Sequence, residues 1–120
     1  MIDYIKREVP RVWARIIHTI NGLHRTWVDE PSFAQWVVIN VLSIALTFKI
    51  EMSSTEQLII IILGLLILVI ELLNTGIEAA IDRISPEIHD LSKKAKDAGC
   101  AAVALMAVIG LFAWVWIFVT

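Results

Sequence analysis

Residues 54–84 read STEQLIIIILGLLILVIELLNTGIEAAIDRI. From Gln57 to Ile70 the stretch is uncharged and strongly apolar. Glu71, Glu78, Asp82 and Arg83 then arrive with no helix breaker before Pro86. Ser53 and Glu56 have the spacing of a capping box, which predicts a helix start there. A helix over 54–84 would be ~46 Å long at 1.5 Å per residue, against ~30 Å for a hydrocarbon core. It must tilt, project into the cytosol, or both.

Two more uncharged runs flank this segment. Pro31 to Phe48 holds 18 residues without a charge and Ala98 to Val119 holds 22. With the central segment they give three spans, over 31–49, 54–84 and 97–119. Trp27 and Trp36 mark one interface, and Trp114 and Trp116 mark the far end of the third span. Asp29-Glu30-Pro31-Ser32 reads as a turn or helix start, and Lys49 to Glu56 as a short polar hairpin. Ser85-Pro86 offers an N-cap and first-turn proline. They predict a cytoplasmic helix or loop over 86–96, in a polar stretch carrying Glu87, His89, Asp90, Lys93, Lys94, Lys96 and Asp97.

Residues 1–28 form a surface segment. Ile2, Ile5, Val9, Val12, Trp13, Ile16, Ile17, Ile20, Leu23 and Trp27 recur at three- and four-residue steps, with Arg11, Arg15, His18, Asn21 and Arg25 mostly between them. Pro10 predicts a loose first segment and then a helix over about 11–27. An apolar stripe opposite a basic face reads as a helix lying in the membrane interface. The fold class is an all-α membrane protein, one domain over 1–120, with three transmembrane helices and an N-terminal amphipathic interfacial helix.

Composition agrees. The 120 residues are 58% hydrophobic and 18% charged, where a soluble domain has roughly 45–50% and about 25%. Three spans of ~20 residues take about half the chain, leaving no room for a separate soluble catalytic domain. A net charge of −2 gives no basic field for nucleic acid. Cys100 has no intrachain partner and reads as a small packing residue. Asp3, Lys6, Arg7 and Glu8 interrupt any apolar run at the start, so no cleaved signal peptide is expected. The basic residues divide as five before the first span, one between the first and second, and four between the second and third. The positive-inside rule then places the N-terminus and second loop in the cytoplasm and the C-terminus outside.

The acids are not scattered. At ~100° per residue with Glu71 as origin, Asn74 falls near about −60°, Glu78 about −20°, Asp82 about +20° and Thr75 about +40°. These five share one arc of the second span, and Glu71 lies ~20 Å below the outer interface. A carboxylate there should face protein, water or a cation, not lipid. Such a stripe can coordinate Mg²⁺ together with substrate phosphates, act as a general base, or relay protons or ions. It can also serve only to hydrogen-bond helices together.

Lys93, Lys94 and Lys96 can neutralise a polyphosphate as point charges, with Arg11, Arg15 and Arg25 on the same side. Topology setting and lipid-headgroup attraction use the same bases. Lys96-Asp97 stands out, because it sets an acid beside a base at the mouth of an apolar run. His18, His24 and His89 show no ligand spacing for zinc. No glycine-rich phosphate loop of the usual nucleotide-binding kinds is present. A small oligomeric ion or proton conductor using Glu71, Glu78 and Asp82 is the reading from another class. Leu58 to Ile70 offers it no polar residue to continue a pathway. A membrane-assembly subunit, its stripe binding a partner helix, is a third.

Glu71-Leu-Leu-Asn74-Thr75-Gly-Ile-Glu78-Ala-Ala-Ile-Asp82-Arg83 resembles the signature of the small integral-membrane prokaryotic diacylglycerol kinases. Glu87-Ile-His89-Asp90-Leu-Ser92-Lys-Lys-Ala-Lys96-Asp97-Ala-Gly99 continues it, and Trp27-Val-Asp-Glu30 with Phe33 and Gln35 resembles the family's approach to its first span. The resemblance covers about residues 11–119. It implies a homotrimer with shared active sites in the bacterial inner membrane. It also implies Mg²⁺-ATP-dependent phosphorylation of diacylglycerol to phosphatidic acid on the cytoplasmic side.

Under that resemblance Glu71 is the general base and Asn74 orients the site. Glu30 and Glu78 bind metal and phosphate. Glu87, His89, Lys96 and Asp97 contact nucleotide, and Arg11 contacts nucleotide or lipid phosphate. Trp36 stands where the family often has an acid. His18 stands where an aromatic hydroxyl near the adenine is expected, and would stack instead. A related subfamily phosphorylates undecaprenol, and the motif does not separate the two acceptors.

Overall fold

Sequence period and chain packing meet in a seam of seven-residue steps. The computed structural model describes all 120 residues as four helices: α1 Ile2–Asp29, α2 Pro31–Thr47, α3 Ser54–Ile84 and α4 Asp90–Val119. The residues with little exposure recur as Phe33, Asn40 and Thr47 on α2, Ile60, Ile67 and Asn74 on α3, and Gly99 and Met106 on α4. That 3.5-residue repeat keeps one face of each helix against its neighbours. Helix α3 is the centre of the packing: it lies against α4 most extensively and against α2 next, while α1 touches the rest sparsely.

Polar side chains form much of this seam. Only 10 of 120 residues are buried, and Thr26, Asn40, Thr47, Glu71 and Asn74 are among them. Thr26 Oγ1 donates to the Gly22 carbonyl at 2.7 Å and Asn40 Nδ2 to the Trp36 carbonyl at 2.9 Å. Gln57 Nε2 donates to Thr47 Oγ1 at 3.1 Å, and Trp114 Nε1 to Ser43 Oγ at 2.9 Å. Those two bonds tie α3 and α4 to α2. Large apolar side chains, among them Leu42, Leu65, Leu105 and Phe112, point outward instead. A monomeric soluble protein does not leave that much apolar surface uncovered. The radius of gyration is 18.6 Å, where a compact chain of this length would have roughly 14 Å.

Helices α3 and α4 are long and apolar enough to cross a membrane, and α2 is a shorter apolar helix of 17 residues. The start of α3 follows from its sequence. Ser53 Oγ accepts from the Glu56 N–H at 3.1 Å while Glu56 Oε2 accepts from the Ser53 N–H at 2.7 Å, closing the capping box.

Two local expectations are corrected. The first segment is not loose, because α1 is one helix from Ile2 with Pro10 inside it. The missing Pro10 N–H costs one intrahelical bond, and the carbonyl left free lies on an exposed turn. Nor does Ser85-Pro86 open a helix. Ser85 caps the end of α3 and accepts from the Glu87 N–H at 3.1 Å. Helix α4 starts at Asp90, with His89 as N-cap accepting from the Leu91 N–H at 3.1 Å. The polar stretch from Asp90 is therefore continuous with the third apolar run. A histidine ring nitrogen fills the capping role usually read from Ser, Thr, Asp or Asn.

Candidate active site

Glu71 is 5% exposed within the apolar part of α3. Its partner is Ser32, whose Oγ donates to Glu71 Oε1 at 2.6 Å across 39 residues of sequence. Pro31 occupies the first position of α2 and fixes the backbone there, so Ser32 is presented from the first turn toward α3. One carboxylate oxygen of Glu71 is thereby held.

One turn further along, Asn74 is 7% exposed and its Oδ1 has no hydrogen-bond partner. That oxygen lies against Gly99 of α4, 2.0 Å from where a Cβ on Gly99 would stand. Only a glycine lets the two helices close on the amide at this level. The same device recurs between α2 and α3, where Asn40 Oδ1 lies 2.0 Å from a Cβ built on Gly64.

Beyond Asn74 the facing surfaces of α3 and α4 become charged. Glu78 is half-buried. Lys96 Nζ donates to Asp82 Oδ1, joining the two helices. The hydrogen bond to Asp82 holds the Lys96 ammonium above its ordinary value of 10.5; burial opposes this, and the charges of Asp82 and Glu78 assist it. Lys93 Nζ pairs with Asp97 Oδ2 at 2.5 Å, and that bond and charge likewise raise Lys93 above 10.5. Where α3 hands over to α4, a cavity of about 460 Å³ is lined by Asp82, Ser85, Glu87, His89, Lys96 and Asp97, among others.

Four residues expected to contact nucleotide, Glu87, His89, Lys96 and Asp97, thus line one cavity. Glu71, Asn74 and Glu78 climb toward it along α3. Glu30 sits apart from that cavity, half-buried at the junction of α1 and α2, where its carbonyl accepts from the Phe33 N–H at 3.1 Å. Arg11 and His18 are exposed on α1, with Arg11 paired to Glu8 at 2.9 Å. Within one chain neither is brought to the α3–α4 cavity. Trp36 lines an apolar groove with Asn40, Gly64 and Trp114.

Reasoning from sequence missed Ser32 as Glu71's partner, Gly99 as the seat of Asn74, and the Asp82–Lys96 link. Helical periodicity relates residues on one helix and is silent about which helix faces them. No group of three or more His, Cys, Asp or Glu side chains converges to hold a metal ion. The carboxylates of Glu30 and Glu78 are nonetheless hard oxygen donors. Magnesium commonly takes one or two such groups and completes its shell with substrate phosphates and water, so the donor chemistry fits that ion.

The family model for prokaryotic diacylglycerol kinase matches residues 17–118. The chain is 38% identical over 97 residues to a diacylglycerol kinase of Pseudomonas aeruginosa, covering 81% of this chain and 79% of that one. It is 33% identical over 93 residues to the diacylglycerol kinase of Escherichia coli K12, covering 78% and 76%. To that of Helicobacter pylori 26695 it is 34% identical over 104 residues, covering 87% and 78%. The acids of α3, the polar start of α4 and the cavity between them all fall inside the matched span, and the chain belongs to the prokaryotic diacylglycerol kinase family.

Proposed function

We propose that this chain transfers the γ-phosphate of ATP to the hydroxyl of diacylglycerol, giving phosphatidic acid at the cytoplasmic face of the bacterial inner membrane. The observation that carries the reading is Glu71: a carboxylate buried in an apolar helix, held through one oxygen by Ser32. A buried acid with one oxygen free is suited to accept a proton from an alcohol at membrane depth.

In this reading the proton of the lipid hydroxyl passes to Glu71 as its oxygen bonds to the γ-phosphorus. The bond from that phosphorus to the bridging oxygen breaks, and ADP leaves with the electron pair. Phosphoryl transfer is mostly positioning and charge neutralisation. Lys96, Glu87, His89 and Asp97 hold the nucleotide in the α3–α4 cavity, and Asn74 orients the groups above it. Glu30 and Glu78 would hold Mg²⁺, which when bound neutralises phosphate charge. Arg11 and His18 reach the nucleotide from α1 of the assembled protein, Arg11 at a phosphate and His18 against the base.

Placement in the membrane follows from the same reading. Helices α2, α3 and α4 are three spans, α1 lies along the cytoplasmic interface, and the C-terminus is outside. The division of basic residues supports this orientation. The outward apolar surface and the open shape support a homotrimer whose sites are shared between subunits.

The test is acceptor-dependent turnover. Purified protein in mixed micelles with Mg²⁺ and ATP should convert diacylglycerol to phosphatidic acid. Absence of product would refute the reading, and faster turnover of undecaprenol would move the chain to the neighbouring subfamily.

A further inference from the structure

Ser32 has no role in the scheme above beyond its contact, and its position suggests one. It stands at the second position of α2, two residues past the N-cap, whose side chain is the one that ordinarily serves the free N–H groups of a helix start. Here α2 has no side-chain cap, and Ser32 Oγ is turned instead to Glu71 Oε1 at 2.6 Å. A carboxylate on a long helix has two torsions that can swing it along the seam. Glu71 sits between buried Ile67 and buried Asn74, and Ser32 supplies its side-chain hydrogen bond. A hydroxyl fixing one oxygen also fixes where the other one points.

We infer that Ser32 is a positioning residue for phosphoryl transfer, its hydroxyl holding Glu71 Oε1 so that Oε2 faces the acceptor hydroxyl. The inference rests on the reading of Glu71 as the base. Ser32 acts through Glu71 and touches neither nucleotide nor lipid, so its loss should lower the rate of the chemical step and leave binding of both substrates intact. Alanine is well tolerated in a helix, and Ser32→Ala keeps the fold.

The experiment compares wild type with Ser32→Ala, Ser32→Thr and Glu71→Gln in mixed micelles, reading kcat and both KM values. One uncompensated hydrogen bond to a charged group predicts that Ser32→Ala lowers kcat by about ten- to a hundredfold. Both KM values should stay within about twofold, the signature of lost transition-state stabilisation without lost binding. Ser32→Thr, which keeps the hydroxyl, should recover most of the rate. Wild-type kcat in Ser32→Ala, or a loss that appears in KM, or no recovery in Ser32→Thr, would overturn the role of Ser32. Full activity in Glu71→Gln would instead remove the base itself.

Discussion

A methyl group on Gly99 would stand 2.0 Å from Asn74 Oδ1 and 3.1 Å from its Cγ. Backbone holds one side of this contact and a buried amide the other, so Gly99→Ala must turn Asn74 away or part α3 from α4. The expected result is at least a tenfold loss of kcat with α-helical content retained, measured by lipid phosphorylation alongside circular dichroism. Gly22 on α1 has nothing within 4 Å. Gly22→Ala should therefore leave turnover unchanged and raise stability by about 0.5–1 kcal/mol, since alanine costs less in a helix than glycine. Sequence showed that Glu71, Asn74, Glu78 and Asp82 share an arc, because they share a helix. It could not show Ser32 under Glu71, since 39 residues separate them and no periodicity spans two helices.

Helix α3 owes its start to a local signal that sequence states openly. Both halves of the Ser53–Glu56 capping box are present, and Ser53→Ala should lower stability by about 0.5–2 kcal/mol in a detergent unfolding titration. The other end was less legible. Ser85-Pro86 has the chemistry of a helix start, yet Ser85 ends α3 and His89 begins α4. Capping residues mark a boundary without saying which helix they belong to. Across that corner the Lys96–Asp82 link closes α3 on α4. The folded protein holds Lys96 above 10.5, so the link's stabilising contribution is whole below that pH and is lost as pH rises through the raised value. The difference in melting temperature between wild type and Lys96→Met should be constant from pH 7 to 9 and vanish only above about 10.5.

At the scale of the molecule, composition was the most legible feature. A chain 58% hydrophobic has its large apolar side chains outside and half its buried residues polar, the distribution of a protein whose outer solvent is lipid. Polar seams such as Asn40 on Gly64 and Asn74 on Gly99 hold helices together where apolar contact gives no preference over lipid. One chain gathers Glu87, His89, Lys96 and Asp97, the residues proposed to hold nucleotide, in a cavity that Arg11, His18 and Glu30 do not line, and sequence patterning is silent about what a second copy would add to it. In density-matched detergent, sedimentation equilibrium should return a protein mass three times the 13.5 kDa of one chain. A monomer retaining full activity would contradict the shared-site account.

Phosphoryl transfer to the lipid hydroxyl turns, as proposed, on the carboxylate at position 71, and Glu71→Gln removes that acid with almost no change in shape. Wild type and variant, assayed side by side with Mg²⁺, ATP and diacylglycerol, test it most directly, with ATP binding followed by titration. Wild type should yield phosphatidic acid and Glu71→Gln none above background, with ATP binding largely kept. Phosphatidic acid at the wild-type rate from Glu71→Gln would contradict the assignment of Glu71 as the base.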